Sequence, residues 1–351
     1  MVDRRRDSPL SAAPKVRARK GVLWDGRWYG PHGIGRFATE IRRRVNIPGM
    51  RDLDGSSPPS SPLAVASLPL MQRRHHAELF ISPGYVGSPS EKNLLQLLTL
   101  HDLIHLESTG NTSRLRRLYY DHFVRPVIRR TRMVMTVSEY SRSLICEWAG
   151  LDVEQVVIAR NGVSTAFLDD ATGPRLNDSK LAVLLVSNEK PYKNNHLAFA
   201  SLRHLPLDFV LHTVGLSDST VERLSWEAGV DYSRVIAHGR LSDNELSLLY
   251  RSSQCLALPS SIEGFGLPAL EAMAVGTPTV YVAQAVSEVV GVFGFQVANR
   301  ASAEEFASLI MQASMAKSSM SRQLMKRASH YTWEATASAF DRSARSLLGT
   351  S

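Results

Sequence analysis

The chain has 351 residues, 44% of them hydrophobic, and a formal net charge of +8. Domains usually hold about 150 residues, so this length favours two of them, and the apolar content argues against bulk disorder. The longest apolar runs, such as residues 181–186, are far shorter than the ~20 residues of a membrane span. We therefore expect no transmembrane helix.

The first twenty residues form a basic segment, with seven lysines and arginines against two aspartates. A charged terminal run of this kind is typical of a disordered arm. It has no apolar stretch long enough for a signal peptide, so we predict a cytoplasmic protein.

Residues 21–168 are predicted to form the first domain, in which short apolar runs alternate with amphipathic segments. A glycine-rich loop in "YGPHGIGRFATEI" leads from the first strand into a helix. Residues 51–62 are rich in serine and proline and are predicted to be a loop. Ser138 is a predicted helix N-cap. Strands are predicted within residues 21–28, 63–68, 77–85, 94–106, 132–150 and 156–163.

Residues 114–132 form a second basic cluster, with seven arginines against Asp121. Apolar residues follow at near-helical spacing, and this pattern has two interpretations. One is a helix that packs on the core and exposes a solvated basic face. The other is a helix that rests on anionic lipid, which would place the protein peripherally on the inner face of the cell membrane. No nucleic-acid-binding motif is present, so we expect no nucleic-acid partner.

A polar segment, residues 169–180, is predicted to be a linker, and residues 181–330 a second domain. Near-continuous apolar strands alternate there with amphipathic helices, which indicates parallel sheets covered on both faces. Residues 331–351 are predicted to be a closing helix. Doubly wound domains of this α/β class bind ligands at the carboxyl ends of their strands, so the loops after strands are where we expect chemistry.

One such loop lies in "SSIEGFGLPALEAMAVGTPTV", residues 260–280. Glu263 is predicted to follow a strand, and Glu271 to lie on the first turns of the next helix. The N–H groups of a helix N-terminus favour an anion such as phosphate. Carboxylates beside that anion can accept hydrogen bonds from sugar hydroxyls. The pattern therefore indicates a sugar that carries phosphate groups, although glutamates that only favour the helix dipole would give the same pattern.

The stretch "EGFGLPALEAMAVGTPTV" resembles the glutamate–seven residues–glutamate motif of the retaining GT-B glycosyltransferases of family 4. Other segments from about residue 21 onward resemble the same family, among them "GPHGIGRFATEI", "LTLHDLIHL", "TVSEYSRSLI", "VSNEKPYKNNHLAFA" and "YTWEATASAF". The resemblance implies two Rossmann-like doubly wound domains that face each other across a cleft. It also implies that the C-terminal helix crosses back to the first domain.

The resemblance further implies roles for the matched residues. The catalytic candidates, which would lie near the transferred sugar and the leaving diphosphate, are Glu263, His101 and Lys193. Glu271 would bind the ribose hydroxyls of the donor. The remaining matched donor-binding candidates are Gly33, Gly35, Asn161, Phe265, Gly266 and Leu267.

One departure concerns the cation that would bind the diphosphate beside Lys193. Many relatives have an arginine shortly before that lysine, whereas this chain has Ser187 and Asn188 there. The form "NEKPYKN" is similar to that of a subset of the family that includes mannosyltransferases. Asn188 is therefore kept as a donor-binding candidate, and Arg240 or Lys190 is expected to supply the missing charge.

No metal site is predicted. "DLD" at residues 52–54 resembles the metal-binding Asp-x-Asp motif of other glycosyltransferases. It lies in the predicted Ser/Pro loop, however, and the GT-B family that the chain resembles does not use the metal ion bound by that motif. The histidine pairs 75/76 and 101/105 have no accompanying carboxylates or cysteines at metal-ligand spacing.

The function implied is transfer of a hexose, with a slight preference for mannose, from a nucleotide diphosphate to an acceptor hydroxyl with retention at the anomeric carbon. GDP-mannose is the favoured donor and a UDP-sugar the next, and no cofactor is expected. The acceptor would be a saccharide or lipid-linked saccharide in the assembly of surface polysaccharide or glycoconjugates. There are two alternatives. One is an enzyme of the same fold with a different reaction or acceptor, such as a nucleotide-sugar epimerase or a transferase that acts on a soluble acceptor. The other is a catalytically silent subunit that binds a sugar nucleotide or a polysaccharide.

Overall fold

The structure is a computed structural model that describes residues 21–55, 58–88, 93–107, 111–168 and 180–350. The predicted basic arm, residues 1–20, lies outside the described residues, as does nearly all of the predicted linker.

The first domain is a parallel sheet flanked by helices. Its strands are β1 (Gly21–Asp25), β2 (Met50–Leu53), β3 (Ala77–Ser82), β4 (Leu95–Leu98), β5 (Val134–Thr136) and β6 (Val156–Ile158). Its helices are α1 (Gly33–Arg44), α2 (Pro62–Arg74), α3 (Ile104–Glu107), α4 (Asn111–Tyr119), α5 (Arg125–Thr131), α6 (Glu139–Ala149) and α7 (Thr165–Leu168). The strand order is β2-β1-β3-β4, and a bridge between Thr99 and Met135 connects β4 to the pair β5-β6.

The second domain contains a six-stranded parallel sheet. Its strands are β7 (Leu181–Val186), β8 (Phe209–Val214), β9 (Val235–Ala237), β10 (Cys255–Leu258), β11 (Thr279–Tyr281) and β12 (Phe295–Gln296). Its helices are α8 (Asn195–Ser201), α9 (Asp218–Ala228), α10 (Asp243–Ser252), α11 (Leu267–Ala274), α12 (Gln284–Val290) and α13 (Ala303–Ala328), and α14 (Trp333–Leu348) follows them. The order β12-β11-β10-β7-β8-β9 reverses between β7 and β10, which is the position of the ligand crevice in doubly wound sheets.

Two sequence predictions in the first domain are wrong. Residues 63–68, predicted as a strand, lie inside α2, whose N-terminus is capped by Ser61 with Pro62 as the first helical residue. A short apolar run does not distinguish a strand from one face of a helix, and here the capping residues decide. The predicted loop at 51–62 contains most of β2, which pairs in parallel with β1 and buries Leu53.

Helix α14 crosses from the second domain to the first, as expected. Its Phe340 ring packs against Trp24 and Phe37 of the first domain, with ring centroids 6.2 Å and 5.7 Å apart. The chain before the helix is fixed by a hydrogen bond from Val163 N to Tyr331 O of 2.9 Å. The crossing helix therefore shares the core of the first domain and connects the two domains.

The basic segment 114–132 divides into two parts with different environments. The second part, a π-helical turn and α5, buries Tyr120, Val124 and Ile128 in the core. In the first part, α4, the side chains of Leu115 and Leu118 are 72% and 53% exposed. Among the described residues, no helix is long and apolar enough to span a bilayer.

Candidate active site

Two helix N-termini face each other across the cleft between the domains. Helix α1 begins at Gly33, and its N-cap His32 accepts a hydrogen bond through Nδ1 from Gly35 N (3.0 Å). Helix α11 begins at Leu267 after Gly266, whose φ of +95° favours glycine. A Cβ on Gly33 would lie 3.6 Å from Leu267 Cδ1, so the two helix ends are in van der Waals range. Their free N–H groups create a positive potential suited to an anion.

Lys193 and Glu263 form an ion pair in the crevice of the second domain. Lys193 follows β7, Glu263 follows β10, and Lys193 Nζ donates to Glu263 Oε1 at 2.6 Å. The two side chains are only 12% and 11% exposed. The strand reversal between β7 and β10 brings these residues together, although seventy positions separate them in the sequence.

Glu271 is a buried carboxylate on the second turn of α11, and both of its oxygens have partners. Arg36 Nη1 donates to Oε1 at 2.5 Å, and Tyr250 Oη donates to Oε2 at 3.1 Å. Burial raises the pKa of Glu271, and the Arg36 charge and the Tyr250 hydroxyl act against that rise. A carboxylate held in this way can accept hydrogen bonds from ligand hydroxyls.

Arg36 is a site residue that sequence reasoning missed. It lies on the first turn of α1, directly after Gly35, and its guanidinium contacts both Glu271 and Asp243, the latter at 2.6 Å. Burial disfavours the charged form of Arg36, but these carboxylates outweigh it and the pKa is raised. The sequence signal was its position at the end of the glycine loop.

His101 lies after β4 and is held as a neutral imidazole. Its Nε2 is 2.9 Å from Pro83 O, and since a carbonyl oxygen only accepts, Nε2 carries the proton. Burial lowers the pKa of His101 to about 4. Nδ1 is then an acceptor for a hydrogen bond, as a sugar hydroxyl would require. The edge of the ring packs against Phe37 at 4.7 Å between centroids.

Asp102 lies beside His101 in a small cavity between the domains. The cavity has a volume of about 130 Å³ and is lined by polar and aromatic side chains together with Ile34 and Ile104. Burial raises the pKa of Asp102 to about 6, although its carboxylate accepts a hydrogen bond from Ile104 N. The polar and aromatic lining comprises Tyr85, His101, Asp102, Tyr120, Lys190 and Tyr192.

At Gly264 the backbones of the two domains come close together. A Cβ at this position would lie 2.4 Å from His101 O. Its carbonyl oxygen accepts hydrogen bonds from the hydroxyls of Ser138 (2.6 Å) and Ser141 (3.3 Å). Nearby, the carboxylate of Glu288 accepts from the first two backbone N–H groups of α6, at 2.8 Å and 2.6 Å. The domains are thus joined by hydrogen bonds to backbone groups beside the site.

The other predicted donor-binding residues lie in both domains, at different places relative to Glu271 and Lys193. Asn188 follows β7, and its side chain accepts from Lys190 N at 3.1 Å. The Phe265 side chain is buried and packs 5.9 Å from the Tyr331 ring. Asn161 is buried at the domain junction, where the next residue is a glycine closely apposed to Trp333. Arg240 is exposed after β9, and no described contact joins it to Glu271 or Lys193.

Two further observations concern sites elsewhere. A larger cavity, of about 790 Å³, lies where β6, α13 and α14 meet, and none of the predicted site residues lines it. Within the described part of the chain, no group of three or more His, Cys, Asp and Glu side chains could hold a metal ion. In the "DLD" segment, Asp52 is engaged by Tyr29 Oη (2.8 Å) and Arg42 Nε (2.6 Å).

Two parallel doubly wound domains, a cleft with converging helix N-termini and a returning C-terminal helix define the GT-B class of glycosyltransferase. Residues 27–167 match the family model described as Glycosyltransferase Family 4, and residues 170–330 match Glycosyl transferases group 1. The chain belongs to this glycosyltransferase family.

Two curated relatives are mannosyltransferases. The chain is 36% identical over 170 residues to the MMP alpha-(1->4)-mannosyltransferase of Mycolicibacterium hassiacum, a match that covers 47% of this chain and 40% of that protein. It is 26% identical over 188 residues to the O-antigen chain mannosyltransferase RfbU of Salmonella typhimurium, covering 53% and 51%. The chain thus spans about half or less of the length of these relatives.

Solved structures share the fold over nearly the whole chain. Anabaena HepE in complex with UDP-glucose superposes with a TM-score of 0.72 at 19% identity, over 93% of this chain and 99% of that one. WaaG, a glycosyltransferase involved in lipopolysaccharide biosynthesis, gives 0.71 at 16% identity, over 93% and 100%. At this level of identity the likeness shows the GT-B fold.

Proposed function

We propose that the protein transfers a hexose from a nucleotide diphosphate to an acceptor hydroxyl, with retention of anomeric configuration. The observation that carries this proposal is the convergence of the N-termini of α1 and α11 beside Lys193 and Glu271. The helix ends and the lysine suit a diphosphate, and the buried glutamate suits the ribose hydroxyls.

The reaction would depend on stabilising the negative charge of the departing diphosphate. Lys193 and the helix N-termini provide fixed positive potential, and groups oriented in advance in a site shielded from water are effective at this task. Lys193 is paired with Glu263 in the structure, so the diphosphate would compete with this carboxylate for the lysine. No side chain here is assigned as a nucleophile; the leaving phosphate would guide attack on the same face. Protein cations and backbone N–H groups would supply this charge without a metal ion.

The donor is proposed to be GDP-mannose, with a UDP-sugar next. Mannosyltransferases among the curated relatives and the "NEKPYKN" sequence favour mannose, while the HepE complex with UDP-glucose favours a UDP-sugar. Glu263 would contact the transferred sugar, since it lies at the carboxyl end of β10 beside Lys193. The Nδ1 acceptor of His101 would bind a hydroxyl from the first domain.

The acceptor is proposed to be a lipid-linked saccharide presented at an anionic membrane surface. Helix α4 exposes Leu115 and Leu118 among the arginines of the basic segment, as a helix that lies on a membrane does. Arg117 of the same helix donates to Leu106 O, which links α4 to the segment after His101. A lipid surface bound here would therefore lie on the first domain, on a helix connected to one wall of the cleft.

The experiment is thermal unfolding of the purified protein with GDP-, UDP-, ADP- and dTDP-sugars. A ligand that binds only the folded state raises the melting temperature by mass action. We expect a rise with one nucleotide family that disappears in Glu271→Ala and persists in Glu222→Ala, which removes an exposed glutamate of α9. Stabilisation by no nucleotide sugar would contradict the proposal and favour a silent subunit. Chemical analysis of the nucleotide sugar after incubation would identify an epimerase, by an altered sugar on an unchanged nucleotide.

A further inference from the structure

An arginine from the first domain contacts Glu271, the glutamate of the second domain that is proposed to bind the ribose. Arg36 extends from the first turn of α1, and its backbone N donates to the N-cap His32 O at 2.9 Å. Its guanidinium crosses the cleft to Glu271 and to Asp243, at the start of α10. The side chain is 28% exposed, so this cation of the first domain is partly shielded and is held by two helices of the second domain, α10 and α11.

The cations of the second domain do not by themselves balance a diphosphate. The loop after β7, residues 187–194, contains no arginine, and its Lys193 is already paired with Glu263. Lys190 lies 5.8 Å above the Tyr192 ring, and no described contact joins Arg240 to Lys193 or Glu271. The donor would bring two phosphate groups to this position, and Arg36 is the further cation that the structure brings to it.

We propose that Arg36 is the second diphosphate-binding cation of the donor site, exchanged from Glu271 onto phosphate oxygens when the nucleotide binds. This inference rests on the proposed function, because it requires a nucleotide diphosphate donor. Ribose hydroxyls would take the hydrogen-bonding capacity of Glu271 that Arg36 now uses. Asp243 would remain as the fixed point that holds the guanidinium in the cleft.

Planar guanidinium groups favour this exchange. A guanidinium can donate two parallel hydrogen bonds to a carboxylate or to a phosphate with similar geometry. Arg36 also lies beside the N-termini of α1 and α11, where the backbone already favours an anion. Binding of the donor would then keep the domains together through phosphate in place of the direct ion pair.

If Arg36 had a different role, removing its charge would have the opposite effect on nucleotide affinity. If Arg36 only blocked Glu271 and competed with the ribose, its loss would free the carboxylate and tighten binding of every nucleotide. If Arg36 binds phosphate, its loss weakens binding in proportion to the phosphate content of the ligand. The sign of the change in affinity therefore distinguishes the two roles.

The test is isothermal titration calorimetry of the full chain with the nucleoside, monophosphate and diphosphate of the base found by thermal unfolding. The variants are Arg36→Gln, Arg36→Lys and Arg43→Gln, the last of which removes an exposed arginine from the same helix. We expect Arg36→Gln to weaken diphosphate binding 10- to 100-fold, on the order of one or two charge-assisted hydrogen bonds. Nucleoside binding should change less than about threefold or become tighter, Arg36→Lys should recover part of the loss, and Arg43→Gln should match the wild type.

Asp243→Asn is a fourth variant, which leaves the arginine in place while removing one of its carboxylate partners. Diphosphate binding should be maintained or tightened in this variant, because the asparagine Oδ1 can still accept the hydrogen bond that positions Arg36 while its negative charge no longer competes with phosphate. Diphosphate binding by Arg36→Gln that equals or exceeds that of the wild type overturns the inference and leaves the proposed function intact. A wild-type protein that binds no nucleoside diphosphate overturns the proposed function itself.

Discussion

Replacing Gly264 with alanine should open the cleft and weaken donor binding. The added Cβ would lie 2.4 Å from His101 O and 3.0 Å from Asp102 Cβ. No side-chain rotation removes a clash between a Cβ and backbone, so the domains must separate locally. The same movement lengthens the hydrogen bonds from Ser138 and Ser141 to the carbonyl oxygen of residue 264.

The free-energy cost of Gly264→Ala follows from the steric overlap of the new Cβ with His101 and Asp102. Overpacking of a well-packed contact costs about 1–3 kcal/mol. If that cost falls on the closed arrangement alone, the ratio of closed to open molecules drops about 5- to 150-fold, since this range of coupling energies corresponds to those factors. The apparent dissociation constant for the donor should rise by up to that factor, because binding is reduced by the fraction of molecules in the competent state.

The assay is calorimetric titration with the donor nucleotide, accompanied by thermal unfolding. Gly21→Ala is the matched control, since a Cβ there would meet its nearest atom at an ordinary 3.6 Å, and we expect it to bind as the wild type does. Donor affinity in Gly264→Ala equal to that of the wild type would refute the reasoning, because the contact between residue 264 and His101 would then have no part in the binding-competent state.

Three further predictions concern charge, pH and lipid. Lys193→Gln should lower kcat about 10²- to 10³-fold with a smaller change in donor affinity, measured by nucleotide release; weaker donor affinity with unchanged kcat would assign the lysine to ground-state binding. Because burial raises the pKa of Asp102 from 3.8 to about 6, its carboxylate destabilises the fold above that pH, and the effect fades as the pH falls from 6 towards 4. Asp102→Asn should therefore raise the free energy of unfolding at about pH 7.5 by about 1–2 kcal/mol, allowing for partial exposure, and leave it unchanged at about pH 4; a pH-independent difference would contradict this. Replacing Leu115 and Leu118 with glutamate should abolish sedimentation with anionic liposomes at low salt, and binding that survives the change would place the lipid contact elsewhere.

The alternating strands and helices of both domains could be predicted from the sequence because buried parallel strands are almost continuously apolar. Leu181–Val186 and Phe209–Val214, for example, lie within the predicted strands. The segment 63–68 was predicted wrongly, because a six-residue apolar run fits a strand and a helix face equally well. Its true state depends on the cap at Ser61 and on packing of Leu68 that comes from distant parts of the chain.

The contacts between site residues were harder to predict from the sequence than the strands and helices. The glutamate motif and its resemblance identified Glu263, Glu271 and Lys193 as candidates, and the order of strands β7 and β10 explains why two of them meet. Arg36 could not be identified in this way, because its partners Glu271 and Asp243 belong to the other domain and the contact depends on how the domains close. Sequence periodicity carries no information on that geometry.

The most direct test of sugar transfer by this site is analysis of the product formed from a nucleotide sugar. The protein would be incubated with GDP-mannose, and in parallel with UDP-sugars, together with a lipid-linked saccharide extract. Nuclear magnetic resonance would then assign the anomeric configuration of the new linkage. We predict release of the nucleoside diphosphate and a product with the configuration of the donor. An inverted linkage would contradict retention, and no transfer or hydrolysis from any donor would contradict the assignment of this cleft as a glycosyltransferase active site.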